Sequence, residues 1–422
     1  MQLALVLYSF CKFRPESHDL IRKVHEFRAF VRRVLQLRSR APFGPLRLLL
    51  RAGLTTSGMS SFDAYRGARI WRPIFSLLVL TCLLTSCAKK KEAESSAHPL
   101  GPPFQIKVPL GLPPLNIPPD NPPTAETIAL GRKLFYDTTL SSHNTLSCAS
   151  CHSPSMMFSD GQRFSRGAGG QLGVRNALTV LNAAYYPVDF WDGRAVNLEA
   201  QSGMPMANPI EMNQPHEVSV SKLNAMPEYR KEFEKAFGPG PVTLDKVEKA
   251  IASFERTLLS GNSPFDRYFY GKDKTAMSPS AIRGLEVFRD KNRGNCATCH
   301  TIGDQYALFA DGKFHNIGIG VGENGEIQDL GRYVVTKRDA DKGSFRTPTL
   351  RNVAKTAPYM HDGSEKTLKD VVDYYVGGGN SNPYLDKEIH ALTLTGQERA
   401  DLVAFLDSLT GEPPPQALPS SN

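Results

Sequence analysis

The chain has 422 residues, of which 41% are hydrophobic and 22% are charged, so it can bury more than one hydrophobic core. Its net charge of +8 lies in residues 1–86, which carry 14 Lys and Arg against 4 Asp and Glu, whereas residues 87–422 carry 36 against 38. This distribution argues against nucleic-acid binding, and seven cysteines are too few for a disulfide scaffold of this length.

The first predicted element is a signal peptide within residues 1–86. Residues 74–84 (IFSLLVLTCLL) form a continuous apolar segment that follows Arg66, Arg69 and Arg72. As a helix, these residues would span about 16 Å, roughly half of a bilayer core. We therefore interpret the segment as the apolar region of an export signal and not as a membrane-spanning helix.

The apolar segment ends in Leu84-Thr85-Ser86-Cys87, which resembles a bacterial lipobox. The resemblance implies that Cys87 is lipidated after cleavage and that it anchors the protein in the periplasm of a Gram-negative bacterium. The alternative is an ordinary secretory signal that is cut near Ser86. Residues 1–58 fit no export signal, so we expect translation to start at Met59.

The expected mature chain opens with residues 87–123, a tether followed by a proline-rich segment that should run extended over a surface. Helical periodicity then starts at Thr124, and a Gly-x-x-[Leu/Val]-Phe pattern at Gly131 returns at Gly284, after a helix start at Ser278-Pro279. Strand-like alternation is weak throughout. The repeat predicts a mostly α protein with long loops and two related domains, over residues 124–265 and 278–412.

Each domain carries one Cys-x-x-Cys-His motif after the repeated helix. Thiols at i and i+3 lie on one side of a helical turn, where each can form a thioether with haem, and the adjacent histidine faces the iron. A zinc site or two redox disulfides are alternatives, but a zinc site does not require the following histidine and redox pairs favour a βαβ setting. Two cytochrome c-like domains with covalently bound haem are therefore predicted. The attachment residues are Cys148, Cys151 and His152 in the first domain, and Cys296, Cys299 and His300 in the second.

Four further motifs accompany the haem motifs: residues 190–194 (FWDGR), 208–212 (NPIEM), 345–352 (FRTPTLRN) and 357–363 (APYMHDG). Together, over roughly residues 120–410, they resemble the bacterial di-haem cytochrome c peroxidase family, which includes the MauG-type enzymes. The resemblance implies that the N-terminal haem reacts with hydrogen peroxide. It implies that the C-terminal haem takes in electrons from a small cytochrome or cupredoxin, and that the protein can form a homodimer.

The resemblance also assigns three residues to the reaction. Trp191 matches the tryptophan that bridges the two haems, although a lone tryptophan is more often a core aromatic. Glu211 and Gln201 match the family's distal glutamate and glutamine. Cleavage of bound peroxide requires a proton to move between its two oxygens, and a carboxylate above the iron can carry it. The alternative for Glu211 is a surface or capping acid.

The family holds a calcium ion between its haems with an asparagine side chain and backbone carbonyls. The matching residues in this chain are Asn176, Thr356 and Pro358. Oxygen ligands of this kind suit calcium. The resemblance therefore implies a calcium site.

The loop after the first haem motif departs from the peroxidase pattern. Many members have a histidine there that caps the iron, whereas no histidine occurs here between His152 and His216. His216 could fill the position, but its Pro-His-Glu setting is more typical of a helix start. We expect an open sixth position on the first haem and no need for reductive activation.

The second haem departs from the peroxidase pattern as well. Peroxidases usually place a methionine over this haem, and the matching residue here is Tyr375, as in MauG-type members. A neutral thioether raises the haem potential, whereas a phenolate favours the ferric and higher states and lowers it. Tyr374 is the near alternative, and Met360, His361 or water could also fill the position.

Three functions follow from these observations. The first is a periplasmic peroxidase that reduces hydrogen peroxide to water. The second is a MauG-like oxidase that acts on a partner protein through a high-valent haem pair, which Tyr375 and the open first haem favour. The third is a non-catalytic di-haem electron carrier, whose two irons would both be six-coordinate and inert to peroxide.

Overall fold

The structure, a computed structural model, describes residues 97–412 and residue 414. The predicted signal peptide, the start at Met59 and the lipidation site Cys87 lie outside the described residues. Within residues 97–412, no helix is both long enough and apolar enough to cross a membrane.

The described part of the chain is mostly helical, as predicted. Its only named strands are β1 (Phe314–His315) and β2 (Phe345–Arg346), which pair antiparallel with Phe314 opposite Arg346. The α-helices are α1 (Ala125–Tyr136), α2 (Cys148–Cys151), α3 (Leu198–Ala207), α4 (His216–Ala225), α5 (Pro227–Phe237), α6 (Leu244–Glu255), α7 (Pro264–Phe269), α8 (Pro279–Arg289), α9 (Tyr333–Thr336), α10 (Leu368–Gly377) and α11 (Gly396–Asp407). Short 3₁₀ helices occupy Thr138–Leu140, Pro154–Met156, Ala168–Gly170, Ala183–Tyr185, Cys296–Thr298, Asp339–Asp341 and Val353–Lys355.

The two repeated helices begin where local capping predicts. The Thr124 hydroxyl accepts a hydrogen bond from the Thr127 amide at the start of α1, and the Thr127 side chain accepts one in return from the Thr124 amide. At the start of α8 the Ser278 hydroxyl accepts a hydrogen bond from the Ala281 amide, and Pro279 occupies the first helical position. These side chains satisfy amides that have no partner within the helix, which is why the helices start at these residues.

The repeated glycines are the points where two helices cross. A Cβ atom on Gly131 would lie 1.8 Å from the Ala250 carbonyl oxygen of α6, and one on Gly284 would lie 1.9 Å from the Asp401 carbonyl oxygen of α11. Only glycine permits such an approach of the two backbones. Each half of the molecule is therefore built on the same helix crossing, α1 with α6 and α8 with α11.

Each crossing carries its own hydrophobic core. The first core includes Phe135, Phe158 and Phe254, and it ends in the chain at Leu258. The second core begins at Phe265. Helix α7 therefore packs in the second core, although its first two residues lie within the predicted first domain and the rest lie between the two predicted domains.

The proline-rich residues 97–123 form an extended segment, which we call the N-terminal strap. The Lys249 ammonium donates to the Ala97 carbonyl (2.6 Å), and the Tyr185 hydroxyl donates to the Pro113 carbonyl (2.8 Å). Between these contacts with the first half, the Gly111 carbonyl accepts a hydrogen bond from the buried Arg351 of the second half (2.6 Å). The strap thus touches both halves.

Candidate functional site

The first half contains a cleft of about 1810 Å³, measured to its open mouth, whose wall includes all three residues of the first haem motif. Helix α2 is a single turn formed by Cys148–Cys151, so both thiols lie on the same wall of the cleft. Burial raises the pKa of both thiols, which keeps them neutral. Gln201 and Glu211 line the same cleft.

The histidines of both motifs, which are the predicted iron ligands, each contact a backbone carbonyl through the ring nitrogen Nδ1. The Nδ1 atom of His152 lies 3.1 Å from the Phe158 carbonyl oxygen, and Nδ1 of His300 lies 2.8 Å from the Phe309 carbonyl oxygen. Because a carbonyl only accepts, each Nδ1 carries the proton and the lone pair stays on Nε2. Burial lowers the pKa of both histidines. Neutral imidazoles fixed by such a contact are suited to bind iron, so the residues present fit haem.

Glu211 follows helix α3, and the side chain of Asn208 orients it. The Asn208 amide donates to Glu211 Oε1 at 2.7 Å. Burial raises the pKa of Glu211, while the positive charge of Arg194 and the hydrogen bond from Asn208 oppose the rise. The carboxyl group is thus held in one orientation in the cleft that contains the first haem motif, where it can accept and return a proton.

Among the histidines that the structure describes, only His152 lines the first cleft. His216 starts α4, as its sequence setting predicts, and its Nε2 donates to the Gly203 carbonyl at 2.8 Å. Met212 touches the cleft but is 5% exposed and packs in the first core.

The second half contains a similar cleft of about 1790 Å³, lined by Cys296, Cys299 and His300. Helix α10 places Tyr375 on its wall, and burial raises the pKa of that phenol. The neighbouring Tyr374 does not line the cleft. Its hydroxyl instead donates to the Ile317 carbonyl at 2.8 Å. Met360 and His361 line the same cleft.

An internal repeat relates the two clefts. Asn182 and Asn352, 170 residues apart, both have left-handed backbone (φ 63° and 62°) and precede matching 3₁₀ helices. Helices α3 and α10 start at the same spacing, at Leu198 and Leu368. By this spacing Tyr375 corresponds to Pro205, which lines the first cleft.

Proline offers no side-chain ligand, whereas a tyrosine offers an oxygen. The two clefts thus differ at this wall position, with a proline in the first and a tyrosine in the second.

Trp191 lines both clefts. Its indole Nε1 donates to the Asn176 carbonyl at 2.8 Å, and its own carbonyl accepts from the Arg346 amide at 2.8 Å. Its counterpart in the repeat is His361, which lies at 6.4 Å in an edge-to-face contact and stacks on Phe345 at 3.6 Å. The indole is therefore fixed between the two predicted haem sites.

The three residues proposed for calcium share one feature, their position on the wall of the second cleft. Asn176, Thr356 and Pro358 all line it. The Asn176 amide nitrogen donates to the Gln162 carbonyl at 2.8 Å, so its amide oxygen can serve as a ligand.

One further group has the composition of a metal site. Ligand atoms of Cys299, Asp311 and His315 lie within 4.8 Å of one another. However, His315 contacts Asp311 at 3.0 Å through Nε2 and Asp386 at 2.5 Å through Nδ1. The hydrogen bonds with Asp311, Cys299 and Asp386, in that order, raise its pKa to about 11, against the effect of burial. Cys299 is also a predicted haem attachment residue. The group is therefore a carboxylate–imidazole network beside the second haem motif.

The sequence did not single out several residues of the first cleft. Asp189, Glu255 and Arg346 line it and are each at least 95% buried. Asp189 precedes the FWDGR motif and Arg346 lies within the FRTPTLRN motif, so these motifs could have suggested them. Glu255 ends the amphipathic helix α6, and its spacing carries no chemical pattern.

Comparison with known proteins agrees with this geometry. The di-haem cytochrome c peroxidase family matches residues 125–274, and the cytochrome c family matches residues 281–410. The chain is 41% identical over 302 residues to the methylamine utilization protein MauG of Methylorubrum extorquens, covering 71% of this chain and 82% of the relative. It is 39% identical over 290 residues to the cytochrome c551 peroxidase of Pseudomonas aeruginosa, covering 68% and 79%.

Among solved structures, a MauG-like protein associated with microbial copper homeostasis superposes with a TM-score of 0.67 and 33% identity. The match covers 73% of this chain and 96% of that one.

Proposed function

The chain belongs to the di-haem cytochrome c peroxidase family that includes the MauG-type enzymes, and we propose that it reduces hydrogen peroxide to water with electrons from a small cytochrome or cupredoxin. The observation that carries this proposal is the pair of clefts that share Trp191, one of them also lined by Glu211 and Gln201. The periplasm, with a lipid anchor at Cys87, is the proposed location.

Two haems are the cofactors of this family, and we propose that the two Cys-x-x-Cys-His motifs hold them covalently. Bound haem supplies the iron that binds peroxide and the orbitals through which electrons pass. We also propose a calcium ion at Asn176, Thr356 and Pro358, where it would fix the loop that holds Trp191 through the Asn176 carbonyl.

In the proposed reaction, Glu211 accepts a proton from one peroxide oxygen and returns it to the other. The amide of Gln201 orients the peroxide by hydrogen bonding. Trp191, fixed at both its indole nitrogen and its carbonyl, carries electrons from the second site to the first. Pro205 lines the first cleft and has no side-chain ligand atom, so a haem held there would have a position open to peroxide without prior reduction of the second haem.

The test uses the full-length protein matured in a host that attaches haem. We expect its intact mass to include two haems, and its fully oxidised form to turn over peroxide at once when a reduced small cytochrome or cupredoxin is added. A lag that disappears after pre-reduction would contradict the open first site. A mass that includes fewer than two haems would contradict the proposed cofactor content.

A MauG-like oxidase is the second candidate, because Tyr375 lines the second cleft where a phenolate would disfavour electron uptake. It predicts little turnover with small donors and peroxide-dependent oxidation of side chains in a partner protein.

Tyr375→Phe should raise the potential of the second haem by on the order of 100 mV, a fraction of the range that axial ligands span, while Tyr374→Phe should leave it unchanged. Spectroelectrochemical titration measures both. An unchanged potential in Tyr375→Phe would assign the sixth position to Met360, His361 or water.

A further inference from the structure

A buried polar cluster forms part of the first cleft, away from the residues already assigned. Asp189, Glu255 and Arg346 line the cleft, and each is at least 95% buried. Glu199 and Arg256 lie behind them and form an ion pair, with Arg256 Nη2 2.7 Å from Glu199 Oε1. We call these five residues the inner polar cluster.

Every member of the inner polar cluster has a buried side-chain atom without a hydrogen-bond partner. In the described part of the chain these atoms are Asp189 Oδ2, Glu199 Oε2, Glu255 Oε2, Arg256 Nη1 and Arg346 Nη1. An orphaned buried polar atom is rare and needs an explanation. Five of them in one cluster show that this wall of the first cleft can offer hydrogen bonds to a bound group or to water.

The internal repeat shows that the two acids are specific to the first cleft. Gly131 meets Ala250 and Gly284 meets Asp401, a spacing of 151 residues between α6 and α11. At this spacing Glu255 corresponds to Leu406, which lines the second cleft.

Asp189 has a non-acidic counterpart as well. At the 170-residue spacing it corresponds to Tyr359, and the two form matching bridges, Asp189 with Ala195 and Tyr359 with Glu365. Tyr359 also lines the second cleft. Only the cleft that we assign to peroxide has buried acids at these positions.

A partly exposed acid, Glu248, lies beside the inner polar cluster. The half-buried Glu248 lies on α6 two turns before Glu255. Burial raises the pKa of Glu248 to about 7, and the charges of Asp245 and Glu199 add to the rise. The Ser202 hydroxyl donates to the Glu199 carbonyl (2.9 Å) and lies 3.3 Å from the Glu248 carbonyl, which ties α3 to α6 beside these acids.

We propose that Glu255 and Asp189 relay protons from the edge at Glu248 and Glu199 into the first haem cleft. The inference rests on the proposed peroxidase function. Each peroxide takes two electrons from the reduced donor protein, which is thereby oxidised, and two protons from solvent; its O–O bond breaks, two O–H bonds form, and two waters leave. Glu211 only moves a proton between the two oxygens, so the two consumed protons need another route. The electron-entry cleft consumes no protons and has Leu406 and Tyr359 instead.

Burial and the surrounding charges determine whether Glu255 and Asp189 carry a proton at neutral pH. Burial, together with the carboxylates of Asp189 and Glu199, raises the pKa of Glu255 to about 8, against the opposing charge of Arg256. Burial raises the pKa of Asp189 to about 6, while Arg346 and Arg256 oppose the rise and Glu199 adds to it. At neutral pH Glu255 is therefore protonated and can donate, and this ability is lost as the pH rises through about 8.

The test compares holoenzymes carrying Glu255→Gln, Asp189→Asn and the control Glu234→Gln, an acid on the exposed face of α5. We expect Glu255→Gln to slow peroxide reduction about 10- to 100-fold at neutral pH, below the full effect of a direct acid–base group. It should abolish the fall in rate near pH 8 and change the solvent isotope effect. Asp189→Asn should slow the reaction similarly, and Glu234→Gln should match the wild type.

Infrared spectroscopy gives a readout that does not depend on turnover. The wild-type ferric protein should show a protonated carboxyl band that titrates near pH 8 and is missing in Glu255→Gln but present in Glu234→Gln. If Glu255→Gln does not retain both haems, the relay is tested instead by the carboxyl band of the wild type and by the rate of peroxide reduction in Asp189→Asn. Absence of the band, or wild-type rates and pH profile in a correctly loaded Glu255→Gln, would overturn the relay. Absence of peroxide turnover in the wild type would instead overturn the proposed function.

Discussion

At the scale of single residues, two backbone carbonyls determine which nitrogen of each haem-facing histidine is available. Phe158 and Phe309 are fully buried and both have left-handed backbone (φ 59° and 52°), and their carbonyls accept from His152 and His300. The cysteine–histidine motif predicts the ligand but not these partners, which follow it by six and nine residues. Local spacing thus identifies the ligand, and the tertiary fold orients it.

Glu211 is the residue whose role is most directly tested by substitution. Glu211→Gln keeps the size of the side chain and an oxygen that can accept from Asn208, but removes the group that carries the proton. We expect the reaction with peroxide to slow by about 10²–10⁴-fold, the range typical of general acid–base groups. Stopped-flow absorbance measures this rate. The exposed acid Glu228 provides the control, since Glu228→Gln should react like the wild type, and an equally fast Glu211→Gln would contradict the assignment.

At the scale of elements, each half depends on one close helix crossing. Helix starts at Thr124 and Ser278 were predictable because a cap is a local pattern. The reason for the repeated glycines was not predictable, because α6 and α11 meet them from over 100 residues away. The importance of Glu255 was not predictable for the same reason, because this acid stands out only when α6 is compared with its counterpart α11.

Substitution of Gly284 tests the crossing. A methyl group there would meet the Asp401 backbone carbonyl, so Gly284→Ala should destabilise the protein by about 1–3 kcal/mol, the usual cost of overpacking. Gly396→Ala is the control, since nothing lies within 4 Å of its Cβ position and the helix should gain about 0.4–1 kcal/mol. Denaturant unfolding of the holoenzyme measures both. Equal stabilities of the two variants would contradict the crossing.

At the scale of the whole molecule, the strap contacts both halves, and a buried ion pair of the second half holds it in place. Arg351 is 2% exposed, and its guanidinium donates to both carboxylate oxygens of Asp266 (2.8 and 2.9 Å) and to the Gly111 carbonyl of the strap. Gly111 has a φ of 87°, and a Cβ there would lie 1.8 Å from Asp266 Oδ1. The proline content predicted an extended strap, but not its contact with this pair.

Removal of Arg351 tests the importance of that link. Arg351→Ala leaves the buried Asp266 carboxylate and the Gly111 carbonyl without this donor, so we expect a loss of about 3–5 kcal/mol in the free energy of unfolding. Lys369→Ala removes an exposed ion pair with Asp373 and should change stability by less than about 1 kcal/mol. Chemical denaturation compares the two. A loss in Arg351→Ala no larger than that in Lys369→Ala would show that the buried pair and its contact with the strap contribute little to stability.

The central claim is that the two haem sites differ in their sixth position, with Pro205 leaving the first open and Tyr375 closing the second. Low-temperature electron paramagnetic resonance of the fully oxidised holoenzyme tests this most directly. We predict equal amounts of a high-spin and a low-spin ferric signal, with peroxide or a small anion altering only the high-spin one. Two low-spin signals that peroxide leaves unchanged would contradict the account.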